Sequence, residues 1–161
     1  MVAVSSCLMG IPCRYNGKHY YRKSLMKKLN NTDILAICPE QLGGLPTPRN
    51  PAEIVMGSAR QVLDGKCMII DNLGNNVTKE YISGAYRTLA LLKTHGIKTA
   101  FLKDGSPSCG TTYVYDGTFN VKRVNGSGVT ATLLAASGIN LYNELDVQAI
   151  FNEIKGEGKY E

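Results

Sequence analysis

Three short apolar runs each end in a cysteine-bearing loop, and this pattern constrains the fold more than any other feature of the chain. The runs are Val2-Ala3-Val4-Ser5-Ser6 before Cys7, Ile34-Leu35-Ala36-Ile37 before Cys38, and Ile97-Lys98-Thr99-Ala100-Phe101-Leu102 shortly before Ser106-Pro107-Ser108-Cys109. Each reads as a buried parallel strand giving way to a loop rich in Gly, Pro and Ser. In an open parallel sheet, loops at the carboxyl ends of strands gather along one edge, where such folds bind ligands. Thiols distant in sequence are therefore expected to meet in space, with Cys13 close by on the Cys7 loop.

The rest of the chain fits that frame. Leu25, Met26 and Leu29 give a short helix over about residues 22 to 30 one buried face. A long irregular stretch is expected from Pro39 to Pro51, then a hairpin of Gln61–Leu63 and Cys67–Ile70 around Asp64-Gly65. Tyr81, Ile82, Ala85, Leu89 and Leu92 form one stripe of a strong helix from about Thr78 to Thr94, ended by Gly96. A second hairpin is expected around Asp116-Gly117, joining Tyr113–Tyr115 to Thr118–Asn120. A helix over about 128 to 137, a fourth strand from Ile139 to Tyr142 and a terminal helix complete the reading. The predicted fold is a single α/β domain over residues 1–161: a mostly parallel, Rossmann-like sheet with helices on both faces and hairpin insertions.

Composition narrows the class. At 161 residues and 43% hydrophobic, the chain is large enough to bury one sizeable core. Neither a signal-like leader nor an apolar run of membrane-spanning length occurs, so the expected location is the cytoplasm, with no membrane partner. Five cysteines, an odd number, argue against a disulfide framework and for metal binding or thiol chemistry. The net charge of +5 is spread out, with only Arg22-Lys23 and Lys27-Lys28 as basic pairs, which reads as an ordinary basic surface rather than a nucleic-acid patch.

Six motifs occur in order: Ser6-Cys7-Leu8-Met9-Gly10, Cys13-Arg14-Tyr15-Asn16-Gly17, Cys38-Pro39-Glu40, Gly43-Gly44-Leu45-Pro46-Thr47-Pro48-Arg49, Ser106-Pro107-Ser108-Cys109-Gly110 and Tyr115-Asp116-Gly117-Thr118-Phe119. Together they resemble the thiouracil desulfurases, over about residues 4 to 144. The resemblance implies a 4Fe-4S cluster held by three cysteines, with one iron open to the sulfur of a thiolated nucleobase. It also implies a small-molecule thiolated base or nucleoside as partner. RNA, linked to family members that carry a further domain, is the less favoured substrate.

Physical reasoning reaches part of this on its own. Thiolates are the usual ligands of iron-sulfur clusters, and three ligands leave one iron available. The candidates are Cys7, Cys38 and Cys109, one from each strand end. Cys13 reads equally as a fourth ligand, a thiol beside the cluster or a packed small hydrophobe. Cys67 follows no candidate loop and reads as a buried strand residue. Glu40, two residues after Cys38, can activate water if held near the metal, or it is a solvated loop glutamate. Ser108 can donate a hydrogen bond to substrate or cluster sulfur, or it is a turn serine; the resemblance makes Glu40 and Ser108 expected active-site residues.

Other features weigh less. Arg49 can meet an anion or a carbonyl. Gly126-Ser127-Gly128 opens a helix whose amino terminus can hold an anion, although a plain helix start suffices. His19 and His95 suit exposed or helix-terminal positions rather than metal. A cysteine-based thiol redox enzyme and a non-catalytic metal-binding module remain alternatives; the first is weakened by the lack of a Cys-x-x-Cys pair.

Overall fold

A computed structural model of the chain describes residues 1–146. Four parallel strands form the central sheet in the order β2-β1-β5-β8: β1 (Val2–Ser5), β2 (Ile34–Ile37), β5 (Thr99–Leu102) and β8 (Asn140–Asn143). The predicted parallel α/β sheet is therefore present, and β5 is buried along its whole length. Side chains alternate across the sheet. Ala3, Ala100 and Leu102 face α4 (Thr78–Thr94) and α5 (Val129–Ala136), whose Leu89, Leu92, Ala131 and Leu134 complete that core. Val4 and Phe101 face the other way, onto Leu25 and Leu29 at α1 (Lys23–Lys28) and Leu8 of a 3-10 turn (Ser6–Met9). On that face Phe101 stacks on its β8 register partner Tyr142, with ring centroids 5.6 Å apart.

Two antiparallel hairpins lie outside the sheet, one pairing β3 (Ala52–Val55) with β4 (Met68–Asp71), the other β6 (Tyr113–Tyr115) with β7 (Arg123–Asn125). Both correct sequence expectations. Gln61–Leu63 is not a strand but part of α3 (Ala59–Leu63), because Ser58 and Gln61 form a reciprocal capping box that favours helix. The true partner of β4 is β3, which directly follows Pro51. The second hairpin does not turn tightly at Asp116-Gly117, since β6 pairs with Arg123–Asn125 across a longer tip. The stretch after Cys38 contains a short helix, α2 (Pro39–Leu42), with Pro39 suited to a helix start. The expected terminal helix lies outside the described residues. Among those residues, no helix is long and apolar enough to cross a membrane.

Two backbone contacts fix the elements that carry the site. α2 and α4 touch main chain to main chain: a Cβ on Gly43 would lie 2.0 Å from the Glu80 carbonyl oxygen, and one on Gly84 2.0 Å from that of Pro39. Only glycine permits this approach, which holds α2 immediately after β2. The second contact is the capping of α5. Val129 N donates to the Pro107 carbonyl (2.8 Å), while Thr130 N and Ala131 N donate to that of Ser108 (3.0 and 3.1 Å). The helix amino terminus thus binds the Cys109 loop itself, which occupies the donors an anion would need.

Asp104, at the end of β5, organises the same loop from the opposite side. Its buried carboxylate accepts hydrogen bonds from the backbone of Gly105 (3.0 Å), Thr111 (2.9 Å) and Thr112 (3.1 Å), and from the Thr112 hydroxyl. Burial alone would raise its pKa, but these donors outweigh it and hold the carboxyl below its ordinary value. The stabilisation is therefore present above the unfolded-state pKa near 3.8 and is lost as pH falls through the lower folded value. Asp104→Ala, which leaves several buried donors unpaired, is expected to cost about 3 kcal/mol or more in chemical denaturation. Asp104→Asn is expected to flatten the acid limb of the stability profile; an unchanged acid limb would show that the carboxylate charge contributes nothing.

Candidate active site

The carboxyl ends of β1, β2 and β5 open into one cavity of about 450 Å³. Cys7, Cys13, Cys38 and Cys109 all line it, together with Glu40. Each arrives as its strand dictates: Cys7 in the 3-10 turn after β1, Cys38 as the residue before α2, and Cys109 in the loop pinned between Asp104 and α5. Cys7, Cys13 and Cys109 are buried and Cys38 is half-buried, and all five cysteines, Cys67 included, are free thiols. Cys67 sits outside the cavity and is not the expected buried strand residue: it is half-buried in a bend just before β4, donating to the Ser58 carbonyl at 3.3 Å.

Burial and hydrogen bonding hold Cys13, Cys38 and Cys109 above the ordinary thiol range. Cys38 is raised, first because its hydrogen bond to Cys13 stabilises the protonated form and then by burial. For Cys13 the bond with Cys38 favours the thiolate, but the Cys7 thiol and burial outweigh it and push the group up to about 11. Cys109 is raised by burial and by the Glu40 charge. A set of buried thiols beside a carboxylate gives up its protons readily only to a cationic group that takes the sulfurs as ligands. Among the described residues, no three or more of His, Cys, Asp and Glu converge closely enough to clasp a single ion. Soft thiol donors brought to one cavity from three strand ends are the donor type that iron-sulfur groups take.

Glu40 is the polar centre of the cavity. One oxygen, Oε2, accepts from Arg49 Nε at 2.7 Å and from Arg49 Nη2, in a pair whose side chains are 12% and 6% exposed. The other, Oε1, accepts from the Ser106 hydroxyl at 3.1 Å. Ser106 Oγ in turn accepts from the backbone N–H groups of Ser108 and Cys109, both at 2.9 Å. Glu40 is thus tied by two covalent steps to Cys38 and by two hydrogen bonds to Cys109. Burial alone would lower the Arg49 pKa, but the Glu40 carboxylate more than offsets this and holds the guanidinium above its ordinary value. Tyr81, also at the wall, is held well above the usual phenol range by burial and then by the Glu40 charge, so it stays protonated.

The structure separates the two candidate polar residues. Glu40 faces the cavity. Ser108 does not line the cavity; it is fully buried, its hydroxyl 2.8 Å from that of Thr130, and its side-chain hydrogen bond to Cys109 favours the thiolate there. Sequence reasoning missed Ser106, which lines the cavity in the same motif; the available signal was its place two residues before Ser108 at a turn start, where a serine hydroxyl collects backbone donors. It also missed Asp104, an acid two residues after a buried strand. His19 and His95 are exposed, accepting from Tyr21 N at 3.2 Å and lying 2.9 Å from the Leu91 carbonyl, respectively.

The cavity mouth is aromatic, with charges of both signs, Lys103 being paired with Glu144 at 3.2 Å. Tyr15, Tyr113, Tyr115 and Phe119 line it with Arg14 and Lys103. Arg14 lies 5.5 Å from the Tyr20 ring centroid and Lys103 Nζ 4.6 Å, so these charges rest on ring faces.

A family model described as 2-thiouracil desulfurase matches residues 2–146. The chain is 44% identical over 150 residues to YbbK of Bacillus subtilis (strain 168), an alignment covering 93% of this chain and 99% of that protein. It is also similar to the solved structure of the 4Fe-4S-dependent thiouracil desulfidase TudS, at 35% identity and a TM-score of 0.83, covering 96% and 97% of the two chains.

The Glu40–Arg49 pair yields a direct test. Removing one member of a buried ion pair strands the other charge, at about 3–5 kcal/mol. Arg49→Met is therefore expected to destabilise the chain by that order in urea denaturation, and Arg49→Met with Glu40→Gln to regain part of the loss. Additive losses in this double-mutant cycle would mean that the two groups do not act as a pair.

Proposed function

The chain belongs to the 2-thiouracil desulfurase family, and on that footing we propose that it replaces the sulfur of a thiolated nucleobase or nucleoside by oxygen, as a single desulfurase-like domain over residues 1–161. The observation that carries this reading is the meeting of Cys7, Cys38 and Cys109 with the ion-paired Glu40 round one cavity. The three thiolates would hold a 4Fe-4S cluster, the group on which the similar thiouracil desulfidase TudS depends. When bound, such a cluster supplies an open iron as a Lewis acid for a thiocarbonyl sulfur. Cys13 is the thiol beside it, since a fourth protein ligand would close that position.

The reaction consumes water and releases sulfide: a thiocarbonyl and H₂O become a carbonyl and H₂S, with no electron acceptor. Glu40 is the base that takes a proton from the water. Its oxygens each engage a donor already, Arg49 on one and Ser106 on the other, and a carboxylate retains further lone pairs to accept from water. Arg49 orients the carboxylate, donating from Nε and Nη2 to Oε2. Ser106 ties it to the backbone of Cys109, so base and metal ligand move as one unit. Ser108 is a positioning residue, its carbonyl and hydroxyl fixing the Cys109 loop on α5. The aromatic mouth suits a small flat ring better than a folded RNA. Free thiols throughout the described residues fit a reducing compartment, and we place the enzyme in the cytoplasm.

The test is anaerobic reconstitution with iron and sulfide, then incubation with 2-thiouracil, 4-thiouracil or 4-thiouridine without reductant. Equimolar sulfide and oxo base are expected. Cys7→Ser, Cys38→Ser and Cys109→Ser are each expected to lose iron, whereas Cys67→Ser retains it. Glu40→Gln is expected to keep its iron and lose about 10²–10⁴-fold in turnover. A colourless, iron-free wild type would favour thiol redox chemistry, and wild-type turnover by Glu40→Gln would remove Glu40 from the reaction.

A further inference from the structure

The tip of the β6–β7 hairpin, residues 116–122, carries Phe119 and Val121 into the cavity wall. Both have left-handed backbones, with φ of 59° for Phe119 and 58° for Val121. Such angles are uncommon for residues with bulky side chains and persist only where the surroundings over-determine them.

Here they are over-determined. Asp116 Oδ1 accepts from Thr118 N (3.0 Å) and from its hydroxyl (2.6 Å). From the neighbouring hairpin, Glu53 Oε1 accepts from Gly117 N (2.9 Å) and Phe119 N (3.3 Å). Gly117 also presses on β3 so closely that a Cβ there would lie 2.5 Å from the Ile54 carbonyl oxygen. Two carboxylates and one backbone contact thus hold a phenylalanine where a glycine would sit without strain.

Core packing gives no reason for the side chain. Phe119 is 36% exposed and belongs to none of the three apolar clusters. The other hairpin aromatics at the wall are engaged with their neighbours: Tyr113 and Tyr115 meet edge to face at 6.1 Å, and Arg123 lies 4.3 Å over Tyr113. Phe119 has no ring partner among the described residues.

We propose that Phe119 is the stacking platform for the pyrimidine ring of the substrate, a specificity-determining contact held in place by Glu53 and Asp116. The proposal rests on the desulfuration reading above. A thiobase presents a flat π face, and base–aromatic stacking is the contact that an unpartnered ring at a cavity wall can supply.

The experiment uses the reconstituted enzyme with 2-thiouracil and compares wild type, Phe119→Gly and Phe119→Tyr. Phe119→Gly is expected to raise KM about tenfold or more, the effect of losing one base stack, with kcat and iron content held. The Ki of uracil as a competitor is expected to rise in parallel. Tm, measured on the reconstituted enzyme, is expected to fall by no more than about 2–4 °C, because left-handed strain is relieved as side-chain contacts are lost. Phe119→Tyr is expected to keep the wild-type KM. An unchanged KM and Ki in Phe119→Gly would overturn the proposal, as would a larger fall in Tm with loss of iron, which would make Phe119 a packing residue. A wild type that desulfurates no thiobase would overturn the parent reading, and this proposal with it; an active wild type beside an indifferent Phe119→Gly overturns this proposal alone.

Discussion

β1 lies between β2 and β5 in parallel register with both, and the chemistry of the molecule depends on that pairing. Parallel strands deliver their carboxyl ends to one edge. Ser5, Ile37 and Leu102 therefore end together, and the residues that follow bring Cys7, Cys38 and Cys109 to one cavity although 102 positions separate the first from the last. An antiparallel neighbour would have sent one of these thiols to the opposite edge.

The strand ends alone place thiols only approximately, and the loops do the rest through backbone contacts that leave little freedom. Gly43 and Gly84 let α2 settle on α4, which fixes Glu40 relative to Cys38. Asp104 and the first turn of α5 grip the Cys109 loop from two sides. Ser106 then joins the halves, accepting from Cys109 N and donating to Glu40. The result is a preorganised arrangement of carboxylate and thiols. Its electrostatic signature is a set of thiols held protonated by burial and mutual hydrogen bonding, beside a carboxylate paired with Arg49. A cationic group that took three of the sulfurs as ligands would offset the cost of ionising them.

Much of this was legible in the sequence because the signals were local. Apolar runs ending in Cys-bearing loops exposed the sheet edge, and a stripe from Tyr81 to Leu92 exposed α4. Other features depend on contacts distant in sequence. Nothing near Ser106 announces that Glu40, 66 residues earlier, will be its acceptor, and Ser108 next to Cys109 looked the better candidate. The α3 error was avoidable, since Ser58 and Gln61 spell a capping box. The long hairpin tip was not, because Asp116-Gly117 suits a tight turn and only Glu53 and the close approach of β3 draw the chain onward to β7.

The central claim is that three strand-end thiolates hold one cluster and leave a single iron for substrate. Mössbauer spectroscopy of the chain reconstituted anaerobically with ⁵⁷Fe, before and after addition of 2-thiouracil, tests it most directly. The account predicts four irons per chain, with one subsite whose isomer shift and quadrupole splitting change on adding the thiobase while the other three hold. Four subsites indifferent to 2-thiouracil would contradict it, and would return Cys13 to the role of a fourth ligand.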